Sequence, residues 1–280
     1  MKKRTLSLIL ALLMVFSLLP VSAAADAPKS GTCGENLTWT LDDNGVLTIS
    51  GTGDMANYGL GYGITPWYEY TDSIKGLVIS DGVTSIGNDA FHLFKIDHVD
   101  IPDSVRSIGG SAFAGCTEIP NISFSNNLTS IGAGAFSRCS FTELSIPDSV
   151  TNLGENAFIN CNKLERITLP SDITTINPGT FANCTALKSI VVPNSVKIID
   201  RGAFFECTAL ESVYLPSGLE KIEPFAFGGY SDLKSLKDIY YAGTEAQWNA
   251  VSIGTDNAAV YTATVHYGAL AYPFTDVKVN

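Results

Sequence analysis

Seven phenylalanines, Phe91, Phe113, Phe136, Phe158, Phe181, Phe204 and Phe227, follow one another at intervals of 22, 23, 22, 23, 23 and 23 residues. So regular a period restricts the chain to a stack of equivalent turns. A unit this short cannot bury a core alone and must share one with its neighbours. The rest of the unit recurs in register. "LKSIVVPNSVKIIDRGAFFEC" sets Leu187, Ile190, Val192, Val196, Ile199, Phe204 and Cys207 in the slots that "LERITLPSDITTINPGTFANC" fills with Leu164, Ile167, Leu169, Ile173, Ile176, Phe181 and Cys184.

The L-x-x-I-x-L portion alternates with period two, which predicts a short strand with one buried face. Pro102, Pro147, Pro170, Pro193 and Pro216 close that strand, since proline cannot donate to a ladder. A second apolar pair follows, such as Val196 and Ile199, and then a turn carrying Ala-Phe. The expected architecture is a repeat solenoid of about seven coils over residues 74–232, built mainly of short β-strands and turns.

A cysteine stands three residues after five of the phenylalanines: Cys116, Cys139, Cys161, Cys184 and Cys207. In stacked coils these form a ladder pointing into the core, where a small apolar thiol fills a narrow slot. Disulfides, metal binding and nucleophilic chemistry are the alternatives. Parallel side-chain vectors hold neighbouring Cβ atoms too far apart for an easy disulfide. No C-x-x-C, H-E-x-x-H or Cys/His pair at ligand spacing is present, so neither a metal nor a cofactor is expected. At the same offset the first and last units carry Phe94 and Tyr230, read as large rings that seal the exposed ends of the core.

The repeats match L-x-x-I-x-[LI]-P-x-S-[VL]-x-x-I-x-x-x-A-F-x-x-C and so resemble the BspA-type bacterial leucine-rich repeat family. The resemblance covers Ile74 to about Tyr241, and the flanks "CGENLTWTLDDNGVLTISGTGDM" and "IYYAGTEAQWNAVSI" are similar to those of secreted members. It implies the fold, a secreted or cell-surface location, and a role in adhesion or host interaction; it brings no catalytic residues.

Outside the array, residues 1–25 combine Lys2, Lys3 and Arg4, an apolar run from Leu6 to Leu19 and an Ala23-Ala24-Ala25 site, the pattern of a cleaved secretory signal. No later apolar run reaches the roughly 18 residues that a bilayer span needs. Removing the three basic residues takes the formal charge from −11 to −14, which disfavours nucleic acid and anionic lipid as partners. Residues 26–73 read as a β-rich N-terminal cap, with a hairpin turning at Asn44-Gly45. Residues 233–268 read as a mixed C-terminal cap. In it Thr244 and Gln247 box a short helix containing Trp248, and a strand near Thr264 to Tyr267 closes the array. Residues 269–280 read as a tail, faintly like the opening of an S-layer homology module.

Three histidines and no converging nucleophile argue against an enzyme. The outward strand positions form the candidate binding surface. One column runs His98, Asn121, Glu143, Arg166, Ser189, Ser212, and its neighbour runs Asp100, Ser123, Ser145, Thr168, Val191, Tyr214. His98, Asp100, Asn121, Glu143, Arg166, Thr168 and Tyr214 are the chosen site residues, and an extracellular protein or glycan is the expected partner. Two alternatives stand beside this. Tyr58, Tyr62, Trp67, Tyr68 and Tyr70 could stack on sugars, although as a cluster before the first coil they suit a core seal better. The array could also serve as a rigid spacer.

Overall fold

The computed structural model describes residues 29–59, 64–230 and 235–269. The signal-like segment, Tyr62 and the tail from residue 270 lie outside them.

Each coil is named here by its phenylalanine. The alternating segment supplies its first strand: Glu143–Ser145, Arg166–Thr168, Ser189–Val191 and Ser212–Leu215 in the coils of Phe136, Phe158, Phe181 and Phe204. The pleat turns Leu144, Ile167, Ile190 and Val213 inward and leaves Glu143 and Arg166 in water. The second strand is two residues long in most coils, as in Ser130–Ile131, Asn152–Leu153, Thr175–Ile176 and Ile198–Ile199. Equivalent strands of neighbouring coils pair in parallel, in ladders interrupted between Arg166–Thr168 and Ser189–Val191 and between Asn152–Leu153 and Thr175–Ile176, so the protein is a β-solenoid of about seven turns.

Both ladders continue into the flanks. The hairpin of Leu37–Leu41 and Val46–Gly51 lays its second strand parallel to Gly76–Ile79, while Gly53–Asp54 pairs with Val83–Ile86. Its turn follows from Asp42, whose Oδ1 accepts from the N–H of Val46 at 2.7 Å and of Asn44 at 3.0 Å. Gly45 alone takes positive φ there, at 83°, and Asn44 does not. At the other end, Asp238–Tyr241 pairs with Ser212–Leu215, and Thr264–Tyr267 pairs beyond it. The capping box forms at Glu245–Trp248: the Gln247 N–H donates to Thr244 Oγ1 at 3.3 Å, and the Thr244 N–H donates to Gln247 Oε1 at 2.9 Å. Trp248 is buried against Tyr241, with ring centroids 5.2 Å apart.

The phenylalanines stack through the centre. From Phe113 to Phe227, neighbouring centroids lie 5.1–5.8 Å apart with ring planes within 13° of parallel. Trp67 extends the column over Phe91 at 5.5 Å, and its indole N–H donates to the Ala90 carbonyl at 3.0 Å. Burying each large side chain contributes roughly 1.5–3 kcal/mol, and the stack spreads that gain along the whole array.

A third ladder joins the turns. Residues two before each phenylalanine adopt φ between 52° and 64°, and those two after do so between 57° and 76°, up to Glu206. The later left-handed residues, Leu93, Gly115, Arg138, Asn160, Asn183 and Glu206, each donate their N–H to a carbonyl of the next coil at 2.7–3.0 Å. Glycine and asparagine suit that backbone; Leu93, Arg138 and Glu206 adopt it at a cost.

All six cysteines are free and buried. Each of the five in the array donates its S–H to the phenylalanine carbonyl of the preceding coil, at 3.1–3.2 Å. The ladder is therefore a set of hydrogen bonds as well as a packing column.

One expected end seal fails. Phe94 is buried and meets Phe91 edge-on, but Tyr230 is 93% exposed and only its ring edge touches Phe205. The reason is an insertion. Leu210 and Leu236 hold equivalent slots 26 residues apart, three more than the 23 from Phe204 to Phe227. The insertion moves Tyr230 out of the cysteine register, and Tyr241 and Trp248 cover the core in its place.

Candidate functional site

The outward face of the first-strand ladder carries a groove of about 400 Å³, spanning the coils of Phe113 to Phe181. Its polar lining is Asn121, Ser123, Glu143, Ser145, Arg166, Thr168 and Ser189, set at alternate strand positions by the pleat. Between them lie Ile122 and Phe124, each half-buried, where other coils have sealed residues. Glu143 and Arg166 pair across neighbouring coils. Glu165 pairs with Lys188 at 2.6 Å and Glu211 with Lys237 at 3.2 Å in the adjoining column. The Lys188 ammonium holds the Glu165 carboxyl below the usual carboxylate range. These pairs are solvated, so each adds little stability, and partners can break them cheaply.

Of the seven predicted site residues, Asn121, Glu143, Arg166 and Thr168 line this groove. His98 and Asp100 lie one coil earlier, exposed and joined to each other at 3.1 Å. Tyr214 is on the outward side of its strand but is covered there. It is only 8% exposed, and its hydroxyl donates to the Ala269 carbonyl at 3.2 Å. Ser212 beside it is buried as well. The two outward columns therefore face water in the middle of the array and are covered at its C-terminal end, by contacts that join residues far apart in the chain. The groove itself is not foreseen from the outward columns, which treat every coil as equivalent.

The aromatic cluster takes a different role. Trp67 is fully buried beneath the hairpin, Tyr58 packs on its edge at 5.7 Å, and Tyr70 leans on Trp39 at 6.0 Å. Tyr68 remains exposed. A cluster whose largest ring lies inside the core offers sugars no broad stacking platform. Among the described residues no group of three or more His, Cys, Asp or Glu side chains could hold a metal, and no helix is long and apolar enough to cross a membrane.

Burial pushes the thiols of Cys116, Cys161 and Cys207 up to about 12 and Cys33 up to about 11, and it raises Cys139 and Cys184 well above the ordinary value. Nucleophilic thiols need the opposite shift.

Residues 67–165 and 129–240 match the family described as BspA type leucine rich repeat region. No curated protein matches the chain. Among solved structures, it resembles a leucine-rich repeat protein from Bacteroides ovatus, with 25% identity and a TM-score of 0.59, covering 85% of this chain and 71% of that one. A T. pallidum leucine-rich repeat protein is 26% identical over 80% of this chain and 85% of that chain, at a TM-score of 0.44. A leucine-rich cell surface protein from Faecalibacterium prausnitzii is 20% identical over 82% of this chain and 99% of that chain, at a TM-score of 0.35.

Proposed function

The chain belongs to the BspA-type leucine-rich repeat family, and on that premise we propose that it is an exported or surface-displayed protein that binds an extracellular macromolecule through its outward strand face. The observation that carries this is the groove: Asn121, Ser123, Ser145 and Thr168 line it, and none of their side chains has a hydrogen-bond partner among the described residues. A face that merely repels water-borne contacts has no need of half-buried Ile122 and Phe124 behind such groups. The leader-like opening and the acidic balance agree with work outside the cell, where high net charge maintains solubility.

Saturable binding of the labelled protein to bacterial and epithelial cell surfaces tests it, with an Arg166→Glu, Thr168→Arg double variant as comparison. Both substitutions are on the solvent side of the strand and should leave the melting temperature unchanged. At least tenfold weaker binding by the variant supports the outward face. Equal binding by both proteins places the contact elsewhere.

A further inference from the structure

The groove lies where one coil is a residue short. In the coils of Phe113, Phe158, Phe181 and Phe204, two residues separate the cysteine from the first inward anchor, as in Cys161 to Leu164. In the coil of Phe136 only one, Ser140, separates Cys139 from Phe141. The first-strand ladder is open here, as it also is between Arg166–Thr168 and Ser189–Val191, but only beside the short coil does the opening expose the inward slots of Ile122 and Phe124. Asp100 still bridges to Ser123, and Glu143–Ser145 pairs with Arg166–Thr168, but no backbone hydrogen bond joins residues 119–125 to residues 140–146. Because N–H and C=O groups alternate in direction along a strand, Ile122 and Phe124 on one side and Glu143 and Ser145 on the other lack main-chain partners across the seam.

The seam also leaves apolar surface open. Leu144, Ile167 and Val213 are 7%, 5% and 0% exposed, whereas Ile122 in the same slot is half-buried. Phe124 is half-buried too, its ring edge-on to Phe136 at 5.6 Å on the core side. Unpaired strand amides beside an apolar floor are what an added strand uses: main-chain bonds for affinity and a pocket for one side chain. Asn121, Ser123 and Ser145 rim the floor, and Glu143 and Arg166 contribute one charge of each sign.

Resting on the outward-face function proposed above, we infer that the seam between the coils of Phe113 and Phe136 is a docking slot for an extended, uncharged polypeptide segment with one bulky apolar anchor. The anchor seats on Ile122 and Phe124, and the segment's amides bond the open strand edges. A glycan would find no broad exposed ring there, and a strongly charged segment would gain nothing from a rim of balanced charge.

A random dodecapeptide display library, panned on the whole protein, is the probe. Enriched peptides are synthesised and their affinities measured on wild type, on Ser145→Trp and on Ser123→Trp, two exposed positions where a larger ring fills the slot, and on His98→Ala as a control one coil away. The expected result is a shared apolar anchor, at least tenfold loss on both Trp variants, none on His98→Ala, and at least tenfold loss when alternate peptide amides are methylated. No common motif, or binding indifferent to both Trp variants, overturns the slot. Should the protein still bind cells in an Arg166-dependent manner after that outcome, the outward-face function stands and only the slot is lost.

Discussion

The sulfur of Cys161 lies 3.2 Å from the carbonyl oxygen of Phe136, one coil earlier, and donates its proton to it. That carbonyl also accepts the N–H of Cys139 in its own coil at 3.2 Å, so the thiol ties the turns of two consecutive coils at one point. Replacing Cys161 with Val keeps an apolar group and removes the donor, which should cost about 0.5–1.5 kcal/mol of unfolding free energy. Ala adds a cavity and should cost more. Ser, which retains a donor, should lie nearer wild type than Ala does. Urea melts of the three variants rank them, and a Val variant as stable as wild type would remove the hydrogen bond from the account.

Raised thiol pKa values make the fold sensitive to alkali. The folded protein keeps Cys116, Cys161 and Cys207 protonated up to about 12, while the unfolded chain ionises them near 9.0. Their contribution is therefore fully present below about pH 9 and is lost as pH climbs toward 12. Each thiol removes up to about 1.4 kcal/mol per pH unit in that window. Urea midpoints should be flat from pH 7 to 8.5 and fall steeply from pH 9 to 10.5. A flat profile through pH 10.5 would show that the thiols are not shielded.

Inward and outward neighbours on one strand should differ sharply. Ile167 is 5% exposed and Thr168 is half-buried on the opposite face. Ile167→Ala should cost roughly 2–5 kcal/mol and Thr168→Ala under about 0.5 kcal/mol. Similar losses in urea melts would contradict the pleat.

Arg138 has φ 60°, a left-handed backbone that a Cβ disfavours. Arg138→Gly should raise stability by about 0.5–1 kcal/mol, whereas Ser137→Gly, beside it with ordinary φ, should lower it. Thermal melts of both decide whether the turn is strained there.

Much of this was legible in the sequence because the coils repeat: a period of 22 to 23 residues assigns every inward slot once one is known. The failures fall where a coil departs from the period. Counting three residues forward from Phe227 puts Tyr230 in the cysteine slot, and only the later anchor Leu236 reveals that this coil departs from the period. The burial of Tyr214 depends on Ala269, 55 residues away, which no local pattern reports. The left-handed φ of Leu93, Arg138 and Glu206 is imposed by hydrogen bonds to the next coil against the residues' own preference. The short coil of Phe136 is readable, since Cys139 and Phe141 stand one residue closer than their counterparts, but the shift carries no meaning until the exposure of Ile122 and Phe124 beside it is seen.

The central claim is a single closed stack whose thiols are reduced and sealed, leaving the outward strand face for partners. Iodoacetamide labelling read by mass spectrometry, with and without denaturant and always without reductant, tests it directly. The account predicts no adduct at Cys116, Cys139, Cys161, Cys184 or Cys207 in the native protein and all five together once it is unfolded. Prompt native labelling of any one rung, or rungs that stay unmodified in denaturant until a reductant is added, would contradict it.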